Sequence, residues 1–144
     1  MSARVRRFFL DTNIFIYTFD ETAPVRMAQA RELVEMALTT GMGAVSFQVI
    51  QEFLNVATGK FAVPLDPADC RLYLDSVLSP MCRVWPSVAL YLRALEVREE
   101  TGFGFYDSLI VTAALADGCQ TLYTQDLQSG RRIGPLSIVD PFTA

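Results

Sequence analysis

Four acidic side chains stand at places in the sequence where carboxylates can act together. Asp11 directly follows the apolar run RRFFL, and Asp126 comes just after the apolar segment TLYT. Glu52 and Asp107 lie in the first half of FQVIQEFLNVAT and FYDSLIVTAALA, two segments with helical spacing. Carboxylates without softer ligands suit hard cations such as Mg²⁺ or Mn²⁺, which also accept phosphate oxygens. These residues therefore favour metal-assisted chemistry on a phosphate-bearing substrate.

The sequence contains no histidine, which excludes several classes of active site. Ser-His-Asp and Cys-His nucleophilic sites, histidine acid–base pairs and histidine metal sites cannot be built. The three cysteines are odd in number and lie far apart in apolar patterns, so we expect buried free thiols at Cys70, Cys82 and Cys119. Any catalysis must then use carboxylates, hydroxyls or a metal held by oxygen.

Alternating strand and helix patterns predict the scaffold that carries these acids. Strands are expected at the apolar runs VRRFFL, AVS, CRVWP, TLYT and LSIVD, with helices between them. Helix N-caps are expected at Thr22, Ser46, Asp66 and Ser87. Two helical faces are also predicted from spacing: a polar stripe of Gln48, Gln51, Glu52 and Asn55, and an apolar core stripe of Val88, Tyr91, Leu92 and Leu95.

This alternation predicts an open, mostly parallel sheet covered by helices on both faces. Ligands of such sheets bind outside the carboxyl ends of the strands. Asp11 and Asp126 are expected at carboxyl ends, while Glu52 and Asp107 begin helices that leave the same edge. Two carboxylates ~5 Å apart repel by about 3 kcal/mol at an effective dielectric of 20. A cluster of four therefore requires a cation or raised pKa values.

Each acid taken alone also has a purely structural explanation. Asp107 would complement the helix dipole in a first helical turn. Asp11 and Asp126 suit turns, and Glu52 is an exposed helical acid of the commonest kind. The functional interpretation depends on all four reaching one edge of the sheet.

The composition fits one globular domain over residues 1–144. The chain is 51% hydrophobic and 19% charged, and it has no repeat or low-complexity tract. Asp11 interrupts the apolar run that would have to follow a basic signal-peptide start. No helical uncharged run approaches the ~20 residues of a membrane span. We therefore expect a cytoplasmic protein.

The net charge of −4 at first argues against a polyanionic partner. If four acids form a metal site, however, the remaining acidic and basic residues are equal in number. Arginines could then form local positive patches, and Arg131 and Arg132 are candidate substrate contacts. The amino-terminal candidates are Arg4, Arg6 and Arg7. An exposed solvated face is the alternative for all of them.

The stretches FFLDTNIFIY, QVIQEFLNV and FGFYDSLIVTAALADGCQTLYTQDLQSGRRIGPLSIVDPF together resemble the PIN domain family, and in particular the VapC-like toxins of bacterial toxin–antitoxin systems. The resemblance implies a three-layer α/β/α sandwich with a mostly parallel central sheet. It also implies a Mg²⁺- or Mn²⁺-dependent endoribonuclease, often a homodimer, that a cognate antitoxin inhibits in the toxin branch.

Residue by residue, Asp11, Glu52, Asp107 and Asp126 match the four acids of that family. The resemblance therefore implies that they are the catalytic and metal-binding residues. Three neighbours could support them: Thr12 and Asn13 could orient Asp11 or contact phosphate, and Ser108 could support Asp107.

Other functions remain open at this stage. A PIN-like module could bind RNA or a protein partner without cutting, and a housekeeping RNA-processing nuclease would carry the same acids. A haloacid dehalogenase-type phosphohydrolase expects a second Asp where this chain has Asn13. A phosphorylation receiver domain expects a Lys after a late strand, whereas the sole lysine, Lys60, lies in mid-chain. Fold alone does not choose among these.

Overall fold

The computed structural model describes residues 5–142 of the chain. Arg4, one of the candidate phosphate contacts, lies outside the described residues. Within them, six strands form one sheet in the order β3-β2-β1-β4-β6-β5. All pairs in the sheet are parallel except β5 with β6. The strands are β1 Phe8–Leu10, β2 Gly43–Ser46, β3 Cys82–Val84, β4 Thr121–Tyr123, β5 Arg132–Ile133 and β6 Leu136–Val139.

Helices connect the strands and cover the sheet on both faces. Every residue of β1 and β2 is buried. Because neighbouring residues of a strand point to opposite faces, burial of all of them requires a covering layer on each side. The predicted α/β/α arrangement is therefore confirmed. The helices are α1 Thr12–Tyr17, α2 Pro24–Thr40, α3 Phe47–Gly59, α4 Pro67–Tyr73, α5 Ser79–Met81, α6 Val88–Thr101 and α7 Phe105–Ala116, with a π-helical segment at Leu74–Leu78.

The central strands contribute buried apolar side chains to the core. Phe9, Leu10, Leu122 and Ile138 are fully buried. A cluster of aromatic rings then packs α1, α3 and α4 together, with centroids 4.9 to 6.4 Å apart: Phe15, Phe19, Phe53, Phe61 and Tyr73. This core fixes the strands and helices that lead to the acid positions.

The predicted caps are correct at three of four helices. Asp66 and Ser87 accept hydrogen bonds from the backbone N–H of Asp69 and Leu90. Ser46 occupies the N-cap position of α3, although its side chain makes no capping hydrogen bond. The prediction of Thr22 as an N-cap was wrong. Helix α2 begins at Pro24 with Ala23 as N-cap, and the Thr22 backbone N–H donates to Asp20.

Both predicted helical faces need correction. In α6 the core face is Leu90, Ala94 and Val97, whereas the predicted core residues Val88 and Leu92 are 73% and 58% exposed. In α3 the predicted polar stripe loses Gln48, which is buried with only 4% of its surface exposed. No helix among the described residues is long and apolar enough to cross a membrane.

Candidate functional site

Asp11 follows β1 directly and lies almost completely inside the protein, with 5% of its surface exposed. Its backbone N–H donates to the carbonyl oxygen of Tyr123 at 3.0 Å, which continues the β1–β4 ladder by one residue. The carboxylate caps the short helix α1, because Oδ1 accepts from the backbone N–H of Thr12 at 2.7 Å. Oδ2 accepts from the hydroxyl of Thr124 at 2.7 Å. Both oxygens are therefore held.

Burial raises the pKa of Asp11 from its ordinary value of 3.8 to about 6. The hydrogen bonds from Thr124 and Thr12 oppose this shift, and the nearby negative charges of Asp126 and Glu52 add to it. Donors that stabilise the ionised form thus coexist with surroundings that disfavour it. A positive charge at this position would remove that conflict.

Glu52 lies one turn into α3, which begins directly after β2. Its side chain is half-buried and both carboxylate oxygens accept hydrogen bonds. Thr12 donates from its hydroxyl to Oε2 at 2.8 Å, and Gln48 donates from Nε2 to Oε1 at 2.7 Å. Thr12 therefore touches two of the four acids, one through its backbone and one through its side chain.

Asp107 lies in the first turn of α7, and its carboxyl is half-buried. Its pKa is raised by burial first and then by the negative charges of Asp126 and Glu52. The first turn of α7 is tied to α3, since Nε2 of Gln48 also donates to the carbonyl oxygen of Tyr106 at 3.2 Å. The helix N-terminus thus carries its acid toward Glu52.

Asp126 is exposed in the loop after β4. Its backbone N–H donates to the Thr124 hydroxyl oxygen at 3.2 Å, and that hydroxyl in turn donates to Asp11. The charge of Asp126 raises the pKa of both Asp11 and Asp107. The four acids are therefore neighbours in space at the carboxyl edge of the sheet.

The arrangement has nevertheless a looser geometry than a closed metal cage. In residues 5–142, no three acidic, cysteine or histidine side chains are grouped so that they could hold one ion together. Mg²⁺ commonly binds through one or two carboxylates and keeps several waters. An all-oxygen donor set with a buried carboxyl fits that mode of binding, with Asp11 as the most enclosed donor.

Of the three neighbouring residues, Thr12 contacts Asp11 as expected, whereas the side chains of Asn13 and Ser108 make no hydrogen bond to an acid. Thr12 binds Asp11 and Glu52, as described above. The side-chain nitrogen and oxygen of Asn13 are both buried without a hydrogen-bond partner. Ser108 is fully buried and its hydroxyl donates to the carbonyl oxygen of Phe103 at 3.4 Å rather than to Asp107. Asn13, two positions after Asp11, is thus left with unused hydrogen-bonding capacity.

The side chains of the two candidate arginines, Arg131 and Arg132, lie in different parts of the molecule. Arg131 donates from Nη2 to the carbonyl oxygen of Thr101 at 3.2 Å, and its guanidinium lies 4.6 Å from the Phe103 ring centroid, in the turn that leads into α7. Arg132 pairs with Ser137 at the start of β6. It lines a shallow depression with Arg6 at the amino-terminal edge of the sheet, opposite the carboxylates.

Two residues contact the acids although the sequence analysis did not predict these contacts. Thr124 follows β4 just as Asp11 follows β1, and equal positions after paired parallel strands could have indicated the contact. Gln48 precedes Glu52 by four positions on α3, a spacing at which side chains meet on one helical face. Both were overlooked because neither is acidic.

Comparison with known proteins places this fold among characterised folds. The pattern of a family described as PIN domain matches residues 8–132. A toxin–antitoxin complex from Klebsiella pneumoniae aligns over 94% of this chain and 98% of its own, with a TM-score of 0.66 and 18% identity. DNA-bound VapBC from Salmonella typhimurium aligns over 95% and 99%, with a TM-score of 0.65 and 22% identity.

A third structure is described as a toxin that cleaves the sarcin-ricin loop, VapC20 of Mycobacterium tuberculosis. It aligns over 83% of this chain and 89% of its own, with a TM-score of 0.57 and 18% identity. No curated protein gives a significant sequence match. At these identities the likeness to the solved structures concerns the fold, while the family match covers most of the chain.

Proposed function

The chain belongs to the PIN domain family, and from this we propose that it is a metal-dependent endoribonuclease and the toxin of a toxin–antitoxin pair. Asp11, Glu52, Asp107 and Asp126 would hold Mg²⁺ or Mn²⁺, directly or through water. The bound cation would activate water and offset charge on the phosphate. The substrate class is RNA, and the bond hydrolysed is a phosphodiester.

One observation carries this proposal: a nearly buried Asp11 with two fixed oxygens, whose pKa is raised to about 6 by burial and by the charges of Asp126 and Glu52. A purely structural cap would not need two further acids beside it, because their repulsion lowers stability. A site that binds a cation does need them. Clustered like charges of this kind are typical of functional sites.

The chain's own residues prepare the site for this chemistry. Thr12 and Thr124 hold the carboxylate of Asp11 in one orientation, and Thr12 with Gln48 does the same for Glu52. Fixed orientation reduces the reorganisation needed when substrate binds. We call the place where Asp11, Glu52, Asp107 and Asp126 meet the carboxylate cleft. Asp107 and Asp126 add negative charge at its more exposed side, where a cation and a phosphate would enter.

Partners follow from the same proposal. The similar structures include toxin–antitoxin complexes, which supports an antitoxin protein as the inhibitor of this chain in the cytoplasm. A homodimer is the assembly that we propose for the free toxin. Sedimentation of the purified chain, alone and with the product of a neighbouring reading frame, tests both partners.

A second candidate is a PIN-like module that binds RNA or protein without cutting. It is favoured by one observation: the part of the chain that the structure describes holds no group of three ligands around a single point. Metal dependence distinguishes the two functions. A binding module should still bind its partner when Asp107 is replaced by Ala, whereas a nuclease should lose its metal-dependent cutting.

The test compares wild type with Asp107→Ala on end-labelled structured RNA pools, with Mg²⁺, with Mn²⁺ and with chelator. Asp75→Ala serves as the matched control, since Asp75 is an exposed acid in the π-helical segment. The nuclease proposal expects defined cuts only with metal, from wild type and Asp75→Ala but not from Asp107→Ala. Cutting that persists in Asp107→Ala would contradict the assigned site.

A further inference from the structure

Tyr106, the residue next to Asp107, has an unusually open aromatic ring. It immediately precedes Asp107 in the first turn of α7, and 70% of its surface is exposed. Its ring meets that of Phe105 edge-on, with centroids 5.6 Å apart and an angle of 76° between the planes. A large aromatic residue normally buries most of its surface. The ring of Tyr106 is therefore available to a partner outside the core.

The backbone beneath this ring is fixed relative to the acids. Gln48 donates from Nε2 both to the carbonyl oxygen of Tyr106 at 3.2 Å and to Oε1 of Glu52 at 2.7 Å. Gln48 is itself 4% exposed, so this bridge is shielded from water. The backbone of Tyr106 is thus held by the same side chain that orients Glu52.

The charge of the protein favours stacking as a source of RNA affinity. The net charge is −4, and four of the acids lie at this cleft. Arg131, which lies just before β5, is engaged with the Thr101 carbonyl and with the Phe103 ring in the turn that leads into α7. Phosphate contacts alone would bind RNA weakly here. Base stacking on an aromatic ring does not depend on net charge.

We propose that Tyr106 stacks against an unpaired base next to the bond that is cut, and so positions the RNA on the carboxylate cleft. This inference rests on the proposed RNA substrate and adds to it one contact, the stacking of a base on the exposed ring of Tyr106. Bases in loops can be splayed out and stacked on aromatic side chains, whereas bases in an A-form helix cannot. Any base offers a stacking face, so this contact selects RNA shape rather than sequence.

Binding measured without cutting tests the proposal. Fluorescein-labelled single-stranded RNA of mixed sequence is titrated with protein, and anisotropy gives the affinity with Ca²⁺ in place of Mg²⁺. Tyr106→Ala should weaken binding about tenfold, and Tyr106→Phe and Tyr106→Trp should stay within about twofold of wild type because both keep a ring. The matched control is Trp85→Ala, an aromatic residue 61% exposed that lines a depression with Leu115 and Ala116 at the opposite end of α7.

A contact readout accompanies the affinities. RNA containing 5-bromouridine, irradiated in complex with the protein, should crosslink to Tyr106. The same RNA locked in a perfect duplex should bind wild type at least tenfold more weakly than the single strand.

Three results would overturn the stacking role: equal RNA affinity for Tyr106→Ala and wild type, equal weakening by Tyr106→Phe, or no RNA binding by wild type at all. A changed sedimentation rate of Tyr106→Ala with unchanged RNA affinity would instead assign the ring to a protein contact. The proposed nuclease activity can fail separately. Wild type that binds RNA through Tyr106 without any metal-dependent cutting would remove the catalytic proposal and leave the stacking contact in place.

Discussion

The hydroxyl of Thr124 donates a hydrogen bond to Oδ2 of Asp11 at 2.7 Å and thereby joins two residues 113 positions apart. The sheet register explains the contact. Leu10 pairs with Tyr123 in the parallel β1–β4 ladder, so the next residue of each strand leaves the sheet at the same level. The first acid of the cleft is therefore held by the strand that also leads to the fourth, Asp126.

Replacement of Thr124 by Val keeps the shape of the side chain and removes this donor. We expect a loss of about 2 kcal/mol of unfolding free energy at pH 7, since hydrogen bonds to charged groups contribute about 1.5–3 kcal/mol. The pKa of Asp11 should rise above its value of about 6, because the Thr124 hydrogen bond lowers it. Urea unfolding at pH 7 and pH 4.5 checks both, with a smaller loss expected at pH 4.5, where Asp11 is protonated in the folded state.

The control for that variant is Thr112→Val. Thr112 is equally buried, and its hydroxyl donates to the carbonyl oxygen of Ser108 at 2.6 Å, with no carboxylate involved. Its effect should be the same at both pH values. If Thr124→Val were also independent of pH, the hydrogen bond would not act on the ionised form of Asp11.

Stability of the metal-free protein should depend on pH through Asp11. The folded pKa of about 6 lies above the ordinary value of 3.8, so the folded state binds more protons between these values. The contribution of Asp11 to the free energy of unfolding therefore falls by roughly 3 kcal/mol as pH rises from about 4 to about 6, and it is constant above that. Chemical unfolding in chelator at a series of pH values measures this slope.

Asp11→Asn removes this titrating group, so the slope should become shallower, with a remainder from Asp107, whose pKa is also raised. Asp75→Asn, which changes an exposed acid, should keep the slope of wild type. A wild-type protein whose stability rises between pH 4 and pH 6 would show that other groups outweigh the buried carboxyl.

Gly43 permits the close approach of α2 to the sheet. A Cβ atom there would overlap Cβ of Ala37 and lie 3.1 Å from the Phe8 ring. Gly43→Ala should therefore lower the unfolding free energy by about 1–3 kcal/mol, the usual range for overpacking. Thermal unfolding measures it against Gly59→Ala at the end of α3, where a Cβ meets nothing within 4 Å. Equal melting temperatures for the two variants would contradict the contact between Gly43 and Ala37.

The sequence predicts the scaffold well where the signals are local. The ends of β1 and β4 follow from apolar runs stopped by polar residues, and the starts of α4 and α6 follow from Asp66 and Ser87. Parallel topology follows from the alternation of the elements. The joint role of the four acids in metal binding stays a prediction, although their mutual charge effects place them near each other.

Other features depend on tertiary contacts that no local pattern contains. In α6, Leu90, Ala94 and Val97 have the same spacing as Val88, Leu92 and Leu95, so periodicity alone cannot choose the face that packs on α7. Two elements are too short for a periodic signal: α1, read as a turn after Asp11, and the two-residue strand β5. The buried position of Gln48 follows from its hydrogen bonds to Glu52 and Tyr106, which lies 58 positions away.

The orientation of α6 can be tested by one pair of variants on the same helix. Leu90→Ala should cost about 2–4 kcal/mol, because Leu90 is 7% exposed and truncation leaves a cavity. Leu92→Ala should stay within about 0.5 kcal/mol, because Leu92 is 58% exposed in the single chain. Urea unfolding of both, at a concentration where sedimentation gives a monomer, decides between the two faces. The reverse order would restore the face expected from the sequence.

Divalent cations should stabilise the protein through the carboxylate cleft, independently of any cutting of RNA. A ligand at 100 times its Kd stabilises the folded state by about 2.7 kcal/mol, which corresponds to a rise of about 5–10 °C in Tm for a chain of this size. Asp107→Asn should lose most of this rise. In chelator it should melt above wild type, because the charges of Asp126 and Glu52 that raise the pKa of Asp107 would no longer face a negative partner. Asp75→Asn should respond to Mg²⁺ and Mn²⁺ as wild type does. If Asp107 belongs to the site, its replacement must both raise Tm in chelator and reduce the metal-induced rise in Tm. Equal metal-induced rises in Asp107→Asn and wild type would place the cation elsewhere.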